Sequence, residues 1–148
     1  MACSPEIHMP VRLRGHHFLC ILTYRGLGYT PAFVSNMSQV VQRIAAGDPI
    51  VLTAGPDAIC AGLSSRCRAD VSHDCSDPDL TRLDDQAAAA TSAILGRDLS
   101  VAAPLRGTEI IALRAAFRQG TTRAGCIDCS WKTLCDGIAA EGFSETFL

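Results

Sequence analysis

Several classes of protein are missing from this chain of 148 residues. It has no excess of basic residues: 13 Lys and Arg stand against 15 Asp and Glu, for a formal net charge of −2. A surface that grips a phosphate backbone needs such an excess, so no nucleic-acid partner is expected. Like-sign charges do not run together into an interaction tail. No long apolar run exists; the longest, residues 18–22, falls far short of a bilayer span, so no membrane is expected. No secretory leader is legible, because Glu6, Arg12 and Arg14 interrupt the N-terminus and no apolar stretch of proper length follows. The expected address is the cytoplasm. Neither G-x-G-x-x-G nor a Walker A loop is present, and the ferredoxin run C-x-x-C-x-x-C-x-x-x-C is absent too. There are no internal repeats, low-complexity tracts or linkers. The chain therefore reads as one domain over residues 1–148, with residues 1–10 a flexible N-terminus.

The sequence is rich in cysteine. Eight are present: Cys3, Cys20, Cys60, Cys67, Cys75, Cys126, Cys129 and Cys135. In a secreted domain they would suggest disulfides; in a reduced compartment they point to metal or redox chemistry. The apolar fraction of 48% is enough for a core without covalent staples. Buried inert thiols are the plain alternative, and that alternative suits Cys20 better than the C-terminal set.

The periodicity predicts a mainly α-helical fold with a few short strands, an α+β class. A first helix is expected from about Gly15 to Arg25. Thr30-Pro31 opens a second, with Phe33, Met37, Val40, Val41 and Ile44 on its apolar face and Gly47 at its end. Residues 49–53 read as a strand, and Gly55-Pro56-Asp57 as a turn. Residues 60–75 lack a period and read as a ligand-donating loop. Ser76 or Asp77 with Pro78 opens a helix whose stripe is Leu80, Leu83, Ala87, Ala90 and Ile94, stopped by Gly96. A strand is expected at Val101, and a helix capped by Thr108 with Ile110, Leu113 and Phe117 inward. A last helix is expected from Cys126 or Asp128 to about Ala140.

Residues 126–135 (CIDCSWKTLC) are the strongest local signal. A C-x-x-C pair at a loop-to-helix junction aims two sulfurs at one metal, and the helix N-terminus favours the thiolate. Cys135 offers a third sulfur. Cys60 or Cys67 is expected to complete the set, with Cys75 at the mouth of the next helix and Cys3 an idle terminal thiol. The compact domain would thus carry a metal site joining its central loop to its C-terminal helix. Four thiolates suit an iron–sulfur cluster, preferentially [4Fe–4S], or a structural zinc. Zinc is the alternative, since it usually shows two short-spaced pairs and only one is present. A thioredoxin-like dithiol is disfavoured because residues 119–125, polar and glycine-bearing, do not read as a strand. His16 and Cys20 are four apart on one helical face, so Cys20 reads either as a ligand with His16 beside it or as a core thiol. His17 reads as a surface histidine, and Trp131 as a core aromatic near the cysteines.

Three functions follow. The first is a cluster protein for electron transfer or redox sensing, serving an unidentified redox partner or small molecule. The second is an enzyme with an open iron site, with Asp128, His16 and His17 as acid–base candidates. The third is a zinc-stabilised interaction module.

Residues 13–29 (LRGHHFLCILTYRGLGY), Phe33-Val34, Asn36-Met37, Gly55-Pro56-Asp57 with Ile59-Cys60, Cys126-x-x-Cys129-x-Trp131 and Leu134-Cys135 resemble the small prokaryotic proteins grouped as domain of unknown function 1284. The likeness extends over nearly the whole chain. It implies an iron–sulfur or metal-binding protein without a settled activity, and implies that Cys20, Cys60, Cys126, Cys129 and Cys135 are motif positions. One departure is Ala61-Gly62-Leu63, where many relatives carry a further cysteine and a proline; Cys67 or Cys75 is expected to take over.

Overall fold

The computed structural model describes residues 9–26, 30–54, 57–60, 79–122 and 132–148. In chain order its elements are β1 (Val11–Leu13), α1 (His17–Thr23), α2 (Pro31–Ala45), β2 (Ile50–Leu52), α3 (Asp79–Leu95), α4 (Gly107–Gln119) and α5 (Lys132–Ala140). The fold is mainly helical, as the periodicity predicts.

The two strands pair in parallel, with Val11 opposite Ile50 and Leu13 opposite Leu52. Parallel pairing needs a long crossover, here supplied by α1 and α2. β1 is too short for its alternation to show in sequence, and no strand is expected there. Val11 and Leu13 are nevertheless buried, and only Arg12 between them faces out. On the other edge of β2, Ile50 exchanges backbone hydrogen bonds with Ala103 (2.9 and 3.1 Å). That bridge replaces the strand expected at Val101, which is exposed.

α2 forms as predicted. Thr30 Oγ1 accepts the Phe33 N–H at 3.0 Å, Pro31 occupies the first turn, and the five predicted apolar residues are buried. Burial at about 2 kcal/mol for each such side chain outweighs the modest helix propensity of its β-branched residues. α3 ends at Gly96, whose φ of 67° only glycine adopts readily. Its buried stripe differs from the predicted one: Asp84, Ala87 and Thr91 are buried, while Leu83, Ala90 and Ile94 are only half-buried. α4 is capped at Arg106 rather than Thr108. The Glu109 carboxylate accepts the Arg106 N–H at 3.0 Å, and Thr108 falls inside the helix. Leu113 and Phe117 point inward as expected. The predicted start of the last helix at Cys126 or Asp128 lies outside the described residues, as do residues 61–75 of the expected loop, the predicted helix start at Ser76 or Asp77 with Pro78, and residues 1–8 of the expected flexible N-terminus.

α1 occupies the centre. Six of its residues are buried (His17, Phe18, Leu19, Ile21, Leu22 and Thr23), and it packs against α3, α4 and α5. A helix buried nearly all round has little room for polar side chains unless they are paired. One histidine, His16, caps it and a second, His17, opens its first turn, with Arg14 just before.

Candidate metal centre

Asp57 organises the first cluster. It lies five residues beyond β2, and β2 runs beside β1. The Thr53 N–H donates to Leu13 O at 2.9 Å, and the Ala58 N–H to Arg12 O at 3.2 Å. This pairing lays residues 57–60 against the start of α1. Asp57 Oδ1 accepts the N–H groups of Ile59 (3.0 Å) and Cys60 (3.1 Å), which closes a side-chain-to-backbone turn. Oδ2 accepts the Arg14 N–H at 2.8 Å and lies 2.6 Å from His17 Nδ1. A carboxylate only accepts, so Nδ1 carries the proton of this bond. Asp57 has a fully buried side chain. Burial pushes its carboxyl up, but the His17 hydrogen bond and charge, with the N–H groups of Arg14 and Cys60, prevail and hold its pKa at about 2.

Asp84 organises the second. Its Oδ1 accepts the His16 N–H at 3.1 Å and lies 2.6 Å from His16 Nδ1, while Oδ2 accepts Arg14 Nε at 2.9 Å. Arg14 is 1% exposed, and its Nη1 lies 4.0 Å from Cys60 Sγ. Burial disfavours the guanidinium charge, yet the hydrogen bonds and charge of Asp84, with Cys60, keep its pKa raised. Burial likewise lowers His16, helped by the neighbouring His17 and Arg14 and opposed by Asp84. The two imidazoles meet edge to face with centroids 4.3 Å apart. Each of these adjacent histidines is directed to a different carboxylate.

An acid-stability prediction follows from these groups. The folded state holds the Asp57 pKa at about 2 against an ordinary 3.8, and lowers that of His16 from 6.5. In both, the unfolded chain binds its proton first on acidification. Their stabilisation is therefore complete above pH 6.5 and erodes below it, through His16 first and then through Asp57 between about pH 4 and 2. The Asp57 share is about 2 kcal/mol. Urea denaturation of the metal-free chain at stepped pH should show a midpoint falling monotonically from pH 7 to pH 2.5. A constant midpoint would contradict the assignment.

Of the predicted ligands, Cys20, Cys60 and Cys135 lie among the described residues; Cys67, Cys126 and Cys129 lie outside them, with Asp128 and Trp131. Cys60 is buried at 1% exposure. Cys20 is half-buried in the middle of α1. Cys135 on α5 is half-buried too, with its Sγ 3.3 Å from Thr23 Oγ1 of α1. The Thr23 hydroxyl also reaches Cys20 O at 3.4 Å, so α1 links the Cys20 and Cys135 segments. Arg14 places the Cys60 thiol near the opposite, N-terminal end of α1. Among the described residues, the group with metal-ligating atoms within 4.8 Å of one another is His17, Asp57 and Cys60, all buried. That is the spacing of a single ion; the thiolates of a cluster are spread round a larger inorganic core.

Sequence reasoning missed Arg14, Asp57 and Asp84 as parts of the site, and His17 is buried rather than superficial. One signal was present: Asp84 falls on the apolar stripe of α3, where a carboxylate needs a partner. Among the described residues, no helix is long and apolar enough to cross a membrane. A family model described as protein of unknown function (DUF1284) matches residues 28–135, a span that contains every predicted ligand except Cys20. Comparisons with curated proteins and with solved structures return no match.

Proposed function

Because the chain belongs to this DUF1284 family, whose likeness implies a metal-binding protein, we propose that it carries an iron–sulfur cluster, of the [4Fe–4S] type, in a redox or sensing role. The observation that supports this best is the setting of Cys60. Its thiol is buried beside a buried guanidinium, and its backbone is held by an ionised carboxylate. An isolated thiolate is disfavoured in a core, whereas a neighbouring guanidinium stabilises one. Soft, anionic sulfur is the donor that iron–sulfur clusters and zinc prefer.

Cys60 would hold the cluster with ligands drawn from Cys20 on α1, from Cys135 on α5 beside it, and from Cys67, Cys126 and Cys129. When bound, the cluster supplies one-electron chemistry. The chain's own residues supply the rest. Arg14 offsets negative charge at sulfur, Thr23 offers a hydroxyl to the Cys135 sulfur, and the apolar residues of α1 exclude water. Hydrogen bonds to ligand sulfur and exclusion of solvent both tune such a centre. Zinc is a second reading, favoured by the single-ion spacing of His17, Asp57 and Cys60.

Anaerobic purification followed by absorption spectroscopy and iron, sulfide and zinc analysis tests the proposal. A brown protein with iron and acid-labile sulfide in matching amounts is expected. Cys60→Ser, Cys20→Ser and Cys135→Ser are each expected to lose most of the iron while remaining folded. A colourless protein with one tightly held zinc would favour the second reading. A folded protein that refuses metal even after reconstitution would return these thiols to the core.

A further inference from the structure

Asp57 has no coordinating capacity to spare. Four donors already address its two oxygens: the N–H groups of Ile59 and Cys60 at Oδ1, and the N–H of Arg14 with His17 Nδ1 at Oδ2. A carboxylate offers about four lone-pair positions, so all of them are engaged. Asp57 is therefore a positioning residue rather than a ligand. What it positions is specific. One oxygen fixes the backbone of Cys60, and the other fixes the ring of His17, 40 residues away in sequence. With Nδ1 engaged, Nε2 is the nitrogen that remains for a metal. A carboxylate on one imidazole nitrogen and a metal on the other is the usual way in which a histidine ligand is oriented and made more basic.

We propose that His17 and Cys60 bind the same metal centre, as a nitrogen and a sulfur ligand, with Asp57 holding both in register. The identity of the metal rests on the cluster reading above; the pairing of the two ligands does not. A ligand set of cysteines and one histidine follows. Replacing a thiolate by neutral imidazole removes one negative charge from the centre. Its reduction potential then lies above that of an all-cysteine equivalent, as it does where histidines replace cysteines on a two-iron centre.

The test uses the anaerobically purified full chain with 15N-labelled histidine. Iron, sulfide and zinc are measured first. If iron and sulfide are present, pulsed electron paramagnetic resonance of the reduced protein should show an imidazole nitrogen coupled to the cluster. His17→Cys should keep the iron, lose that coupling and lower the potential. A cluster without histidine coupling in the wild-type protein overturns the proposal and leaves the cluster reading intact. If zinc alone is bound, its X-ray absorption should contain a nitrogen shell that His17→Cys removes. That result supports the His17–Cys60 pair while sinking the cluster reading, and a zinc site with sulfur donors only overturns the pair as well. A protein that binds neither metal overturns both. The wild-type spectra decide whether any of the four histidines is bound; a nitrogen signal that survives in His17→Cys comes from another histidine and overturns the pair.

Discussion

Asp57→Ala is expected to abolish metal retention and to destabilise the metal-free chain by about 4 kcal/mol, the range for removing one partner of a buried charged network. The substitution orphans three backbone N–H groups and the Nδ1 proton of His17 at once. A single buried donor left without a partner already costs about 1–3 kcal/mol. Two measurements separate the consequences: urea denaturation of the metal-free protein, and metal content after anaerobic purification. Loss of stability with full metal retention would show that Asp57 supports the fold without orienting ligands. Asp57→Asn is expected to fall between. Its remaining oxygen can serve Ile59 and Cys60, while its amide meets the Arg14 N–H donor to donor.

Gly15→Ala is expected to be the most damaging glycine-to-alanine change among the described residues. An ideal Cβ there would sit 1.9 Å from the Asp84 carbonyl oxygen and 2.8 Å from the Asp84 Cα. The obstacle is backbone, so no rotamer change relieves it, and either α3 or the turn before α1 must move. Overpacking typically costs about 1–3 kcal/mol, and a backbone clash belongs at or above the upper end. At about 2–4 °C per kcal/mol for a chain of this size, the melting temperature should fall by about 10 °C. The same shift would pull Arg14 and His16 from the Asp84 carboxylate, so weaker metal retention should accompany it. Gly137→Ala is the control. It lies in α5, a Cβ there would meet nothing within 4 Å, and alanine should stabilise the helix by about 0.5–1 kcal/mol. Equal behaviour of the two variants would refute the close packing of α3 on the turn at Gly15.

Local elements were legible wherever several signals agreed. α2 shows this best: a capping hydroxyl, a proline at the first position, five apolar residues at helical spacing and a glycine stop all point to one helix. β1 was not legible, because three residues carry too little alternation to distinguish from noise. Thr108 was misjudged as a cap because a hydroxyl before an apolar run is the usual cue. Glu109 instead reaches back to the backbone of Arg106 and starts the helix earlier. The stripe of α3 was misread because apolar residues were assigned inward by type, whereas Asp84 is buried through its bonds to Arg14 and His16.

The sequence by itself determined the family, the mainly helical class and the residues that form α2, because these depend on motifs and on interactions within a few turns of chain. It also singled out cysteine as the chemically distinctive residue. Only the tertiary structure decided which polar residues accompany Cys60. The partners that Asp57 and Asp84 find in Arg14, His16 and His17 lie 40 to 70 positions away along the chain. They meet because β1 pairs with β2 and because α3 closes on Gly15. Buried charges need partners, but a linear pattern does not say which ones; long-range packing makes that choice.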